Sequence, residues 1–360
     1  MMEGNIAIFG RMLFLTALIG YGLSVLAYLA YILFPKTVPK AVPTAILGIV
    51  TVVNIGIVIL RSIESGRSPF SSRYESITFF GMFIGAVYLI TEWRLKIKFG
   101  GLFASIIAFT LFFYIIVVDL NKNAVPITFA NIMYLIKTGG SQLKSMPLMP
   151  ALQSPWFFWH VSLAFLGYAF FAVGFVFEIT TACISIGRKP EFMRVFINNA
   201  ILLGVGFVLL VIGPGIKSVV LEAIGIILLS IAGLILIGML LGKRHTSVLA
   251  YSDDDLQRMG RFTYNQVLFA FPLLTWCVVS GGAWADKAWG TYWGWDPKEI
   301  WSLITWLVYA CYFHLKGFPK WHGRPASVVH VIAFMSVMTT YIMVNYLVNW
   351  FNLFSLHAYE

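Results

Sequence analysis

Charge is scarce in this chain. Only 11% of its 360 residues are Asp, Glu, Lys or Arg, against about a quarter in soluble globular domains. That excludes a water-solvated fold as the main body. Apolar residues make up 59% and fall in runs that approach or exceed the ~20 residues a helix needs to cross the hydrocarbon. The dyad alternation of a transmembrane β-barrel is missing from these runs. Cysteine is scarcer still: Cys183, Cys277 and Cys311 each sit inside an apolar run, and no two form a CxxC pair. Thiol–disulfide chemistry by the chain itself is not expected, and small core side chains are. The net charge of +10 is carried by short loops between apolar runs, a pattern of membrane topology and not of nucleic-acid binding. The first run, from Arg11 to about Leu33, is too long for a removable signal peptide and lacks a small-residue cleavage site. There is no tandem repeat and no separate soluble domain.

These absences predict an all-α polytopic membrane protein, a single integral domain over 1–360. About ten transmembrane helices are expected, near 11–34, 43–61, 76–93, 101–119, 156–185, 198–214, 219–242, 263–283, 299–315 and 326–350. Gly213-Pro214-Gly215 is a strong turn signal that would fold 198–242 into a hairpin. One alternate set of loops carries Lys36 and Lys40, Arg94 to Lys98, Arg188 to Arg194, Lys243 to Arg261, and Lys316 to Arg324. It is richer in positive charge than the set with Arg61, Arg67, Arg73, Lys122, Lys137, Lys144, Lys217, Lys287 and Lys298, and is therefore placed in the cytoplasm. Both termini then lie on the outer, periplasmic side. The longest outer loop is 120–155, where Ile-Met-Tyr-Leu-Ile at 132–136 is expected to lie in the interface. The 243–262 stretch, with Asp253-Asp254-Asp255, is expected as a cytoplasmic loop.

What the chain has in excess is tryptophan. Trp284, Trp289, Trp293, Trp295 and Trp301, with Tyr292, crowd into residues 284–301 on the outer side. Interfacial belts account for one or two such residues. They do not account for all of them with Gly290 and Gly294 interspersed, because glycine lets a backbone approach a ligand closely. In an extended stretch Trp289, Trp293 and Trp295 would share one face, a platform for a large planar ligand. The end of the segment also reads as a helix start, with Asp296 as N-cap, Pro297 at N1 and Glu299 at N3.

Topology sorts the histidines. His160 and His357 fall at the outer ends of the fifth and last helices, at the depth of the Trp-rich segment. Neutral imidazole ligates iron, and haem offers two axial positions. The alternative is two ordinary interfacial histidines, and their shared side with the platform weighs against it. His314 lies near the inner end of the ninth helix, where an intramembrane histidine is a functional candidate or a snorkelling side chain. His330 is a weaker candidate at similar depth; His245 and His322 are expected to be solvated. Glu75 reads as an interfacial group or a neighbour of the platform. Glu178, deep in the fifth helix, is expected to pair with a basic group or line a polar cavity.

The run Trp289-Gly290-x-Tyr292-Trp293-Gly294-Trp295-Asp296-Pro297-Lys298-Glu299 resembles the WWD signature of the haem-handling proteins. With Ser154-Pro155-Trp156 to His160, Tyr74-Glu75, the spacing to His314 and Leu356-His357-Ala358-Tyr359, the chain from about residue 60 resembles the CcsA (ResC-like) subunit of the system II cytochrome c synthetase. The resemblance implies haem b as the transported substrate, taken from the cytoplasmic side and held outside by Trp289, Gly290, Tyr292, Trp293, Trp295 and Asp296. His160 and His357 match the external axial ligands, and His314 the transmembrane one. It implies a subunit of a holocytochrome c synthase of the haem-lyase type, without a nucleophile of its own, in a bacterial inner or thylakoid-type membrane. A ResB/CcsB-like partner, apocytochrome c as client and, indirectly, thiol-reducing thioredoxin-like proteins are implied. The 198–242 pair is additional to the commoner pattern, and Ser355 and Ala358 stand where the family usually has Gly and Ser. Alternatives are a system I subunit (CcmC-like chains are shorter, CcmF-like ones much longer), a solute- or ion-coupled transporter with an aromatic belt, and a non-catalytic membrane subunit of a respiratory complex.

Overall fold

A computed structural model describes residues 2–34, 36–39, 41–95, 100–122, 128–139, 143, 147, 149–187, 252–321, 324–344, 348 and 355. Among these, all regular structure is helical: α1 Met2–Leu33, α2 Ala41–Ser65, α3 Arg73–Leu95, α4 Gly100–Lys122, α5 Phe129–Thr138, α6 Pro155–Gly187, α7 Asp253–Trp289, α8 Pro297–Lys316 and α9 Arg324–Met338. Short 3-10 turns occupy Pro150–Gln153 and Pro319–Trp321, and α9 runs on into a π-helical turn at Thr339–Met343. Helix is what an apolar chain must form in lipid, because each backbone N–H and C=O is then satisfied within its own segment.

Among the described residues, seven helices are long and apolar enough to cross a membrane: Ile6–Ile32, Ala41–Ser65, Arg73–Leu95, Gly100–Leu120, Pro155–Thr181, Asp253–Trp289 and Pro325–Met343. The protein is an integral membrane protein. The expected hairpin at 198–242 lies outside the described residues. The expected span at 299–315 is helical, within α8, but is not one of the seven. Lys298 and Glu299 at one end of α8 and His314 and Lys316 at the other dilute its apolar character. The expected 243–262 loop is corrected from residue 253 onward, where α7 has already begun. Ser252 Oγ accepts from Asp255 N–H while the Asp255 carboxylate accepts from Ser252 N–H, a reciprocal cap. Three aspartates in the first turn suit the positive end of the helix dipole.

Residues 132–136, expected in the interface, lie within the short helix α5. Thr128 caps its start, accepting from Asn131 N–H, and Gly139 ends it in the left-handed conformation with φ +87°. Leu135 and Ile136 are buried while Phe129 and Tyr134 are exposed.

The chain divides into two compact units, residues 1–174 with 266–294 and residues 175–265 with 295–360. In the first, α1 packs along α2 and α4, and α3 closes the bundle against both. Buried polar side chains tie these helices together. Asn54 donates to the Tyr21 hydroxyl over 3.0 Å, Ser24 and Ser105 share a hydrogen bond of 2.8 Å, and Tyr28 donates to Glu92 over 2.8 Å. Lipid supplies no hydrophobic drive between helices, so such bonds and close packing supply the attraction. In the same unit α6 and α7 run antiparallel: Phe170 meets Phe269, Gly167 lies on Leu273, and His160 reaches Cys277. In the second unit α8 packs on α9, and Thr305 bonds Thr340 over 3.0 Å.

Candidate functional site

Helix α6 opens at Pro155, with Ser154 Oγ accepting from Trp156 N–H over 3.3 Å. This places His160 in the second turn, facing α7. His160 Nδ1 lies 2.8 Å from the Cys277 carbonyl oxygen. A carbonyl only accepts, so Nδ1 carries the proton and Nε2 the lone pair. Fixing one ring nitrogen on a carbonyl is how proteins orient an imidazole that ligates metal through the other. The ring stacks on Trp284, with centroids 5.9 Å apart and planes at 21°. It sits on Gly281: a Cβ there would stand 2.6 Å from Nδ1.

Trp284 is 4% exposed and donates through Nε1 to the Ala151 carbonyl over 2.7 Å. It anchors a cluster with Phe70, Leu152 and Phe157. Trp289 packs edge-to-face on it at 5.0 Å. These two tryptophans belong to α7 and not to an extended stretch, which corrects the expected shared face of Trp289, Trp293 and Trp295. Nothing in Ala285 to Ala288 breaks a helix; Gly290, at φ +80°, does, with its N–H bonded to the Asp286 carbonyl over 3.0 Å. Trp295 departs from extended geometry as well. Its φ is +57°, the one left-handed non-glycine among the described residues. Tyr292 folds back onto α7, donating to the Val279 carbonyl over 2.9 Å and lying on Gly282, where a Cβ would run into its ring. Half of the Tyr292 side chain stays exposed, and Trp293 is half-buried.

The first unit therefore brings together His160, Trp284, Trp289 and Tyr292 around Gly281-Gly282. Trp295, Asp296 and His314 belong to the second unit. There Trp295 is 67% exposed. Asp296 caps α8 as expected, accepting from Lys298 N–H over 2.9 Å while its own N–H donates to Glu299 over 3.1 Å. His314 is exposed in the last turn of α8, and His330 is buried on α9. His357, His245 and His322 lie outside the described residues. Glu75 is buried in an ion-pair network with Arg61 at 2.9 Å and Arg67 at 3.1 Å, and accepts from Ser71 N–H over 2.8 Å. This network holds the 66–72 turn, whose Phe70 enters the Trp284 cluster. Arg61, expected as a loop charge, is a buried helix residue.

Sequence reasoning missed Gly281, Gly282 and the Cys277 carbonyl. A Gly-Gly pair inside an apolar run was the available signal, since small residues let something approach a helix closely. A backbone carbonyl leaves no signal.

Residues 70–351 match the model of the family described as Cytochrome C assembly protein. The chain belongs to this family. Among similar proteins is the cytochrome c biogenesis protein CcsA of Synechocystis sp., 30% identical over 343 residues, which covers 92% of this chain and 93% of that one. The CcsA proteins of Gloeobacter violaceus, 29% identical over 84% of this chain and 82% of the relative, and of Pyropia yezoensis, 28% identical over 83% of each, are also similar. The chain is a CcsA-like membrane protein of cytochrome c biogenesis. His160, the 284–301 segment and His314 fall within the family match, and His357 lies just beyond it.

Proposed function

We propose that the chain carries haem b across the membrane as substrate and presents it on the outer face for attachment to apocytochrome c. The observation that carries this reading is the setting of His160. Its imidazole is fixed through Nδ1 on a backbone carbonyl, stacked on a buried indole, and seated on a glycine beside the aromatic Trp289–Tyr292 stretch. An Nε2 lone pair in a rigid aromatic setting fits axial ligation of haem iron. His357 supplies the second external ligand and His314 the ligand on the inward side. Trp289, Gly290, Tyr292, Trp293, Trp295 and Asp296 form and hold the platform.

Apocytochrome c docks there with its CxxCH thiols against the vinyl groups. Each thiol adds across a vinyl: a C–S bond forms, the thiol hydrogen goes to the neighbouring carbon, and no electrons are lost. The chain contributes position and control of the iron, as a subunit of a haem-lyase type synthase with a ResB/CcsB-like partner. Thiol-reducing thioredoxin-like proteins keep the client thiols ready. The platform faces the periplasm or thylakoid lumen, both termini lie on that side, and the positively charged loops lie opposite.

The purified protein is expected to carry haem with a low-spin bis-histidine spectrum. His160→Ala should lose most of that signal and regain it with added imidazole. Haem-free protein from haem-replete cells, or full haem content in His160→Ala, overturns the reading.

A further inference from the structure

Two titratable side chains of the second unit have no part in that reading. Glu178 lies on α6 within the Pro155–Thr181 span, and His330 on α9 within the Pro325–Met343 span. His330 is 0% exposed and Glu178 12%. His330 Nδ1 stands 3.7 Å from Glu178 Oε2, within ion-pair range and too long for a hydrogen bond. Neither ring nitrogen of His330 has a hydrogen-bond partner among the described residues, and neither has the Tyr312 hydroxyl. From α8, Tyr309 and Tyr312 flank the imidazole with ring centroids at 6.1 and 5.6 Å. From α7, Tyr264 reaches Tyr312 at 6.4 Å. The Lys316 ammonium, in the last turn of α8, lies 5.7 Å over the Tyr312 ring. The remaining titratable group in the last turn of α8, His314, is exposed.

Ionisable side chains inside an apolar span are costly and mark functional sites by default. The cost depends on protonation. With one proton between them the two groups are either carboxylate and imidazolium or carboxylic acid and imidazole, and both forms are neutral overall. Without that proton a carboxylate stands beside a neutral ring in apolar surroundings, a state that burial penalises. The tyrosine rings close over a fully buried imidazole, so the occupant that fits is the smallest one.

We propose that Glu178 and His330 form an intramembrane proton-binding site that takes up and releases one proton shared between carboxylate and imidazole. The proton comes from water and returns to it, bound at a lone pair of His330 or Glu178, and no electrons move. The measurement reads proton uptake and not haem content, so its failure and the failure of the haem reading are distinguishable.

Infrared difference spectra of the full-length protein between roughly pH 5 and pH 8, the window where histidine titrates, test it, with isotope-labelled histidine to mark the ring. The parent should show carboxyl and imidazole changes with one midpoint. His330→Gln should remove the ring change and alter the carboxyl one. Glu178→Gln removes the carboxylate that shares the proton, so the carboxyl change should vanish and the ring change should lose the midpoint seen in the parent. A parent spectrum without a titrating buried histidine, or a carboxyl signal unchanged in His330→Gln, overturns the proposal. The parent measurement decides the matter even if one variant does not fold.

Discussion

At His160 one backbone carbonyl decides which ring nitrogen carries the lone pair, and one glycine decides where the ring sits. Gly281→Ala puts a methyl group 2.6 Å from Nδ1, so the imidazole must move. Overpacking of this kind costs about 1–3 kcal/mol. A lower melting temperature together with a weakened haem spectrum is expected. Cys277→Ala keeps the carbonyl and should leave the spectrum in place; loss of the spectrum there would assign the orienting role to the thiol, whose Sγ is 3.5 Å from Nδ1. Asp296 has two possible duties, and substitution separates them. Asp296→Asn keeps an N-cap acceptor and Asp296→Ala does not, at a cost of about 1 kcal/mol. If Asp296 serves the platform only by starting α8, thermal stability and haem content should both survive in the Asn variant and fall together in the Ala variant. A haem loss in Asp296→Asn at unchanged stability would show a direct role for its charge.

The turn between α2 and α3 is built as an element. Arg61 comes from α2, Glu75 from α3 and Arg67 from the turn, while Phe70 of the same turn packs in the Trp284 cluster. Glu75→Ala removes one of the carboxylates paired with the buried Arg61 guanidinium and leaves Glu64 at 3.0 Å. Leaving a buried charge uncompensated costs about 3–5 kcal/mol, so a loss toward or below the low end is expected. Unfolding in detergent should show that loss, and the Arg61→Met/Glu75→Leu double variant should recover much of it. Because Phe70 rides on the same turn, Glu75→Ala should also loosen the Trp284 anchor and lower haem retention. An unchanged Trp environment by fluorescence would separate the turn from the site. Helix α7 shows why the extended geometry expected of Trp289 does not hold. Trp density and interspersed glycines suggest a loop from Trp284 onward, but only Gly290 ends the helix. Trp284 is thereby committed to the buried cluster with Trp289 edge-on against it, and Tyr292, beyond the helix end, keeps half of its side chain exposed.

At the scale of the whole molecule, the two compact units bury different groups. The first holds His160 in an aromatic shell on α6 and α7. The second holds the Glu178–His330 pair among tyrosines. Composition alone determined the solvent: a chain with so little charge must satisfy its backbone internally, so helices and membrane residence followed without any contact being known. Apolar run lengths placed most helices, because lipid thickness sets them. The cap at Asp296 was legible because capping is local. Tertiary structure alone decided the rest. The orientation of His160 depends on a carbonyl 117 residues away, the burial of Arg61 on a glutamate across a turn, and the isolation of His330 on rings from a neighbouring helix. Sequence periodicity reports what each residue faces along its own helix. It does not report which atom of another helix arrives there, and at these sites that atom determines the chemistry.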